Sequence, residues 1–288
     1  MKILNINSTF YSSTIHAGLQ NAQISANIDA FTYSPRRSDL SLARGPNVVD
    51  DKNAIVSLCF NQYDRFIFRR KHKLIFNDIQ DKINVSDFDC IHAHYLFDNG
   101  YTALKLKEKY NIPYVVTIRN YDVNFMLKKM IHLRRIGRRI LENADAVAFF
   151  SVAYRNFILN KYIPNKQRDS FAKKSIVLTG GIDSFWHNNT NEGKELKNPK
   201  SIKVLHVGTI DYNKNLITTA KAIRLLQRSG YDVSYTAVGR IINQNLIPKI
   251  SKLIDFKHID QIPKDQLLEI YRDHDILVVP SIRESFGL

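Results

Sequence analysis

The sequence predicts an α/β protein of two doubly wound domains, residues 1–180 and 181–288, each built on a parallel sheet, with the second cut short. Three observations predict it. Short apolar runs of strand length alternate with segments of helical spacing along the whole chain. Asp89–Ile118 reads strand, helix, strand in immediate succession, the order of a parallel βαβ unit. The length, 288 residues, suits about two domains.

Composition narrows the function classes before any motif is read. The chain is 44% apolar and 24% charged, ordinary for a soluble globular protein. Its two cysteines, Cys59 and Cys90, make neither a disulfide framework nor a metal cluster, which fits a reducing, cytoplasmic setting. Met1–Asn7 runs straight into a strand pattern with one lysine and no apolar leader, so no signal peptide is expected. No apolar run approaches the roughly 18 residues that span a bilayer. The 42 Lys and Arg against 27 Asp and Glu leave a net charge of +15. That excess calls for an anionic partner: a membrane surface, a nucleic acid or a phosphorylated substrate. No nucleic acid partner is expected, because no helix-turn-helix, zinc-knuckle or aromatic base-stacking pattern occurs.

In chain order, Lys2–Ile6 reads as the first strand. A nicotinamide site would follow it with G-x-G-x-x-G. Here the loop Asn7–Ala17 has only Gly18 nearby, which argues against that cofactor at this end. Arg65–Phe76 alternates bases with apolar side chains. It reads either as an amphipathic core helix with a basic edge or as a segment lying on anionic lipid. Asp89–His94 is a short strand ending in His94, Tyr101–Tyr110 a helix stopped by Asn111, and Pro113–Ile118 a β-branched strand leading into Arg119 and Asp122. Lys128–Arg139 reads as one basic amphipathic helix. It carries Lys128, Lys129, Arg134, Arg135, Arg138 and Arg139, while Met126, Met130, Leu133, Gly137 and Ile140 recur near helical spacing. Ala146–Phe150 and Ser175–Leu178 are further strands, the second running into Thr179, Gly180, Gly181, Ile182 and Asp183.

The polar stretch Asn188–Lys200 reads as a surface loop near the domain junction. Ile202–Val207 then begins the second sheet. Gly208 allows a tight turn after it, followed by Thr209, and Lys214 stands just ahead of a helix over Leu216–Arg228 that Gly230 stops. A helix amino end beside a lysine suits an anion. Tyr231–Val238 is a strand ending at Gly239, His258–Gln261 a short one, and Asp265–Arg272 a helix with Leu267, Leu268 and Tyr271 at core spacing. Ile276–Val279 reads as a buried parallel strand stopped by Pro280. Glu284 then stands at the strand's carboxyl end, where open α/β sheets hold ligands. Gly287 would let backbone approach a ligand closely.

Three of these stretches, taken whole, carry a resemblance. Pro280–Leu288 reads P-S-I-R-E-S-F-G-L; Asp89–Asn124 contains D-C-I-H-A-H-Y-L-F-D-N-G-Y and I-P-Y-V-V-T-I-R-N-Y-D-V-N; Gly208–Asn215 reads G-T-I-D-Y-N-K-N. Together they resemble the retaining nucleotide-sugar glycosyltransferases of the bacterial group 1, or family 4, type. That family's GT-B fold has two Rossmann-like domains facing each other across a cleft that holds the donor. The resemblance implies transfer of a sugar from a nucleotide diphosphate sugar to a hydroxyl acceptor, with retained anomeric configuration.

The resemblance also implies roles. The first Glu of the family's E-x7-E motif, which holds the donor sugar, corresponds to Glu284, with Ser285, Phe286, Gly287 and Leu288 in the same turn. The second Glu would fall beyond Leu288, so the second domain is expected to be incomplete. Lys214 matches the Lys of a G-R-x-x-x-x-K-G stretch that neutralises the diphosphate; Gly208 opens that stretch, and Thr209 stands where Arg is common. Gly181, in a turn similar to N-G-x-D with Gly180 in the Asn place, and Gly239 complete the expected donor-binding set. His94, Arg119 and Asp122 would face the acceptor or the reacting sugar as catalytic groups, with Arg119 where many members carry His. Each also has a plainer reading: His94 as a satisfied strand-end histidine, Arg119 and Asp122 as each other's partners, Lys214 as a surface lysine. Neither cofactor nor metal is expected, since the family that the chain resembles does not usually need a metal.

The basic segment points to a lipid-linked or saccharide acceptor at an anionic membrane surface. This implies a cytoplasmic protein, peripheral at the inner face of a bacterial membrane, in capsule or cell-surface polysaccharide synthesis. At about 1 kcal/mol per Lys or Arg near an anionic leaflet, six such charges would hold a protein there reversibly. The alternative is an inactive truncated transferase or a basic membrane-binding module.

Overall fold

Among the described residues every strand pairing is parallel, and the strands assemble into two separate sheets. This computed structural model describes residues 1–12, 14–40, 51–190, 198 and 200–284. The chain divides into two compact units, Met1–Gly181 and Ile182–Leu288.

The described residues of the first unit form seven strands: β1 (Lys2–Ile6), β2 (Asp29–Arg37), β3 (Ala54–Phe60), β4 (Cys90–Ala93), β5 (Tyr114–Ile118), β6 (Ala146–Phe149) and β7 (Ser175–Val177). Their order is β3-β2-β1-β4-β5-β6-β7. The crossover helices are α1 (Thr14–Ser25), α2 (Phe68–Lys82), α3 (Gly100–Tyr110), α4 (Leu127–Lys129), α5 (Arg134–Asn143), α6 (Val152–Tyr162) and α7 (Arg168–Lys173). A parallel sheet between helix layers must be apolar on both faces. Leu4, Ile6, Ile91, Val116, Ile118 and Val147 are accordingly fully buried, packed with Ile75, Ile79, Leu104 and Ile140 from the helices. Strand order reverses between β1 and β4. The carboxyl ends of those two strands form the crevice in which doubly wound sheets bind ligands.

The second unit has β8 (Ser201–Val207), β9 (Asp232–Val238), β10 (Lys257–Ile259) and β11 (Ile276–Leu277), ordered β10-β9-β8-β11, with helices α8 (Ser184–Asn188), α9 (Leu216–Arg228), α10 (Leu246–Ser251) and α11 (Lys264–Asp273). Its order reverses between β8 and β11. Helix α9 ends as its sequence indicates. Gly230, at φ +87°, donates to Gln227 O, and Tyr231 N–H donates to Leu226 O, which satisfies the last carbonyls. Among the described residues no helix is long and apolar enough to cross a membrane.

Several expectations are corrected. The loop expected over Asn7–Ala17 contains a 3-10 turn, Phe10–Ser12, and the start of α1 at Thr14. Of the two readings of 65–76 the core helix holds from Phe68, where α2 begins and buries His72, Ile75 and Ile79, while Arg65 and Phe66 belong to a 3-10 turn ahead of it. The single basic helix over Lys128–Arg139 is broken at Met130 (φ −93°, ψ 66°). A π-turn, Asp122–Met126, leads into α4, and Arg134 folds back over the break. Its Nε donates to Leu127 O at 2.7 Å and its Nη2 to Lys128 O at 3.3 Å, capping carbonyls that a continuing helix would have used. The expected apolar spacing survives, because Met126 of the π-turn, Leu133 of a 3-10 turn, and Gly137 and Ile140 of α5 are all buried on the core side.

The strand expected to be buried over Ile276–Val279 is β11, two residues long and at the sheet edge, with Ile276 and Leu277 exposed. It pairs with β8 on one side only, so nothing described covers its far side. Most of the loop expected over Asn188–Lys200 lies outside the described residues.

Candidate functional site

Lys214 and Glu284 lie at the β8/β11 switch point of the second sheet, and His94 at the β1/β4 switch point of the first, with Arg119 and Asp122 following the neighbouring β5. In the second unit the loop after β8 grips the loop after β11. Asp211 organises the first loop: its carboxylate accepts from Asn213 N and Lys214 N, and from the Thr209 hydroxyl at 2.8 Å. Asn213 Nδ2 donates to Arg283 O at 3.0 Å, Asn215 Nδ2 to Pro280 O at 3.2 Å, and Ile282 N–H to Asn213 O at 2.8 Å. These bonds bring Lys214 Nζ within 2.5 Å of Glu284 Oε1, a half-buried ion pair between residues 70 positions apart.

Gly208 (φ +145°) and Gly239 (φ +141°) both hold backbone that disfavours any side chain. A Cβ on Gly239 would stand 2.2 Å from Gly208 O, so the two strand ends meet backbone to backbone. The floor beside Gly208 is His206. This ring is buried, with Nδ1 donating to Val278 O at 3.3 Å and Nε2 without a hydrogen-bond partner among the described residues. Burial pulls the His206 pKa down, so the ring is neutral at pH 7. Gly181 falls in the first unit, exposed, with open space around its Cβ direction and no left-handed φ, so its backbone does not require glycine. Ser285, Phe286, Gly287 and Leu288 lie outside the described residues.

In the first unit, β1, β4, β5 and α1 bring three histidines around one arginine. His94, just past β4, donates its backbone N–H to Ile6 O, and its Nε2 meets Asn5 Oδ1 at 3.2 Å; its Nδ1 is buried without a partner among the described residues. Its ring stacks on His92 at 4.1 Å and meets His16 edge-on at 5.6 Å. Arg119, past β5, donates from Nε to His94 O at 2.9 Å and from Nη2 to His16 Nδ1 at 3.4 Å. Asp122 is fully buried. It does not pair with the Arg119 guanidinium; its carboxylate accepts backbone N–H groups from Leu96, Phe97 and Arg119 at 3.0–3.2 Å and so ties the β4 loop to the β5 loop. Burial raises its pKa to about 7 against the pull of those three donors.

His16 and Asp211 were not among the residues singled out from sequence. Asp211 had a local signal, an Asx residue directly ahead of a turn and a helix. His16 had none, since its partner lies 103 positions away. Among the described residues, no group of three or more His, Cys, Asp or Glu is placed to hold a metal ion.

Burial lowers the pKa of His16 to about 3 and of His92 to about 4, with Arg119 adding to both effects. Folded values below the ordinary 6.5 mean that native rings refuse protons that unfolded rings accept. Stability is therefore full above about pH 6.5 and falls as pH drops towards 4. The urea midpoint of the wild type is expected to fall more steeply over that window than that of His92→Gln. Parallel slopes would show that His92 is not involved.

Residues 19–168, more than half of the chain, match the family described as Glycosyltransferase Family 4. Residues 188–288 match Glycosyl transferases group 1. An uncharacterized glycosyltransferase of Methanocaldococcus jannaschii is 26% identical over 219 residues, covering 72% of this chain and 53% of that protein. A D-inositol 3-phosphate glycosyltransferase of Paenarthrobacter aurescens is 24% identical over 218 residues, covering 70% of this chain and 52% of that protein. The chain thus spans about half the length of these relatives. An E. coli trehalose-6-phosphate structure bound with UDP-2-fluoro glucose matches 99% of this chain and 79% of its own, with a TM-score of 0.65 at 14% identity. That likeness is one of fold, the α/β GT-B fold with its parallel sheets. By the match over its first unit, the chain belongs to Glycosyltransferase Family 4.

Proposed function

We propose that this glycosyltransferase takes its sugar from a nucleotide diphosphate donor, passes it to a hydroxyl acceptor and retains the anomeric configuration. The observation that carries the reading is the Lys214–Glu284 pair at the β8/β11 switch point. The C1–O bond to the diphosphate breaks and a C1–O bond to the acceptor forms, while the acceptor's proton leaves to the departing phosphate or to solvent. Charge builds on the diphosphate oxygens, and Lys214, held by the Asp211 turn, is a preorganised cation for it. Glu284 accepts hydroxyl hydrogen bonds from the donor sugar. Without donor the two neutralise each other. A nucleotide sugar brings a diphosphate for one and hydroxyls for the other, so both stay paired when it binds. In the first unit, His94 and Arg119 engage the reacting or accepting sugar, and Asp122 positions them by fixing the two loops. Retention rests on the likeness of Pro280–Leu288 to retaining enzymes, and the UDP-sugar bound to the E. coli fold relative makes UDP a sensible probe.

Calorimetric titration of the chain with UDP, UMP and UDP-glucose tests the reading. UDP should bind about tenfold or more tightly than UMP, the second phosphate meeting Lys214 through charge-assisted hydrogen bonds. Equal binding of UDP and UMP would overturn the diphosphate assignment.

The acceptor is proposed to be presented at an anionic membrane surface, in cell-surface polysaccharide synthesis. Lys128, Lys129, Arg135 and Arg138 are exposed, and Ile131 among them is 64% exposed. This pairing of bases with an apolar side chain suits a lipid interface. Arg134 does not belong to the set, because it caps α4. Changing the four exposed bases to Gln is expected to abolish binding to phosphatidylglycerol vesicles while leaving the unfolding curve in place. Unchanged vesicle binding would remove the membrane from the account.

A further inference from the structure

We propose that Arg119 is an anion clamp, and that the sugar substrate engaged by the first unit carries a phosphate or a carboxylate. This deepens the transferase reading and rests on it for the word substrate. The geometry of the guanidinium is fully determined. Its plane lies near two aromatic faces, Tyr95 at 5.2 Å and Phe150 at 4.9 Å from the ring centroids. Nε is bound to His94 O and Nη2 approaches His16 Nδ1. Both acceptors are neutral: one is a carbonyl, the other an imidazole nitrogen that must be unprotonated to accept.

The nearest acid, Asp122, favours the charged guanidinium through its field but makes no hydrogen bond to it. All three hydrogen bonds to the Asp122 carboxylate come from backbone N–H groups. Among the described residues Arg119 has no carboxylate within ion-pair distance, and Nη1 makes no hydrogen bond. A half-buried guanidinium held rigidly by neutral groups carries an unspent charge and a free donor edge. The surrounding histidines stay neutral, so this cation is the charge that a ligand meets at the β1/β4 switch point.

Arginine's fork matches the two oxygens of a carboxylate or phosphate. A hydroxyl takes only one of its bonds and leaves the charge unmatched. A residue meant to hold hydroxyls alone would not need a permanent cation braced from both sides. His16 is then a positioning residue: it touches the guanidinium and fixes which edge stays open.

The test is NMR on the full 288-residue chain, following the histidine ring resonances. The ligands are inorganic phosphate, glucose 6-phosphate, glucuronate and glucose. The anions are expected to shift the His16 and His94 signals, and glucose is not. Arg119→Gln should weaken the anionic sugars by about tenfold to a hundredfold, in keeping with the loss of a charged hydrogen-bonding partner. Arg119→Lys, which keeps the charge and loses the fork, should fall between the two and decides the matter if Arg119→Gln does not fold. A preference for glucose 6-phosphate identifies a phosphate, and a preference for glucuronate a carboxylate.

Equal shifts with glucose, no shifts with any anion, or anion binding unchanged in both variants would overturn the clamp. UDP added to the same samples separates this from the wider reading. UDP binding that is lost in Lys214→Ala, with no anion effect at His16, would sink the clamp alone. Arg119-dependent anion binding without any UDP binding would sink the donor assignment and leave the clamp standing.

Discussion

Replacing Lys214 with alanine is expected to lower kcat/KM for sugar transfer by about a hundredfold to a thousandfold, the range seen when one preorganised donor to a developing anion is removed. The expectation follows from where Lys214 stands. It closes the turn that Asp211 builds after β8, and it meets Glu284 across the switch point at 2.5 Å. The resemblance expects an Arg as well in this stretch, but position 209 holds a threonine whose hydroxyl is spent on Asp211. With that second charge absent, the load on Lys214 is larger. Lys214→Ala also strands Glu284 without its cation. Glu284→Gln separates the two effects: it frees Lys214 and should weaken donor-sugar selection more than diphosphate binding. Initial rates with the natural donor measure both, and a loss of less than about threefold in Lys214→Ala would rule out its role at the leaving group.

Gly239→Ala is expected to destabilise the second unit by about 3 kcal/mol or more. Two separate penalties combine, a φ of +141° that L side chains rarely adopt and a Cβ placed 2.2 Å from the Gly208 carbonyl oxygen. The clash is with backbone, so no rotamer change relieves it. Relief would require moving Gly208, and with it the turn that carries Lys214. Gly230→Ala is the control: its φ is +87°, but its Cβ direction is empty, so about 1 kcal/mol of backbone strain is expected alone. The chain has one tryptophan, Trp186, which packs edge-on against Tyr271 at 5.6 Å within the second unit. Its fluorescence in urea therefore reports on that unit. Similar midpoints for the two variants would show that the Gly208–Gly239 contact is dispensable.

Much of this architecture is legible in the residues because strands buried on both faces must be apolar throughout. Tyr114–Ile118 and Ala146–Phe149 announce themselves that way. Strand β2 does not. It contains Pro35 and two arginines, and a proline reads against a central strand, yet Pro35 pairs in register with Ser57 near the carboxyl end of the strand. The break at Met130 was hidden for a related reason. Burial spacing constrains which side chains face the core, and two short helices satisfy it as well as one long helix does.

Site residues at strand ends follow from the rule that open sheets bind ligands there, so His94, Arg119, Lys214 and Glu284 could be singled out one by one. Their company could not. The Lys214–Glu284 contact depends on β11 lying beside β8, and the histidine cluster depends on α1 returning over β4. Such pairings are set by strand order, and no local spacing encodes them. Asp122 shows what local reading cannot supply: its burial and the three backbone donors that make it a brace between two loops come from the packing of β4 beside β5.

The most direct measurement is the product itself. The chain is incubated with UDP-glucose and other nucleotide diphosphate sugars in the presence of hydroxyl acceptors with and without a phosphate or carboxylate. The products are then read by mass and by proton NMR at the anomeric position. The account expects one donor's sugar joined to an anionic acceptor with the donor's α configuration kept, and the yield to collapse in Lys214→Ala. An inverted product, or consumption of a donor that Lys214→Ala leaves untouched, would contradict it.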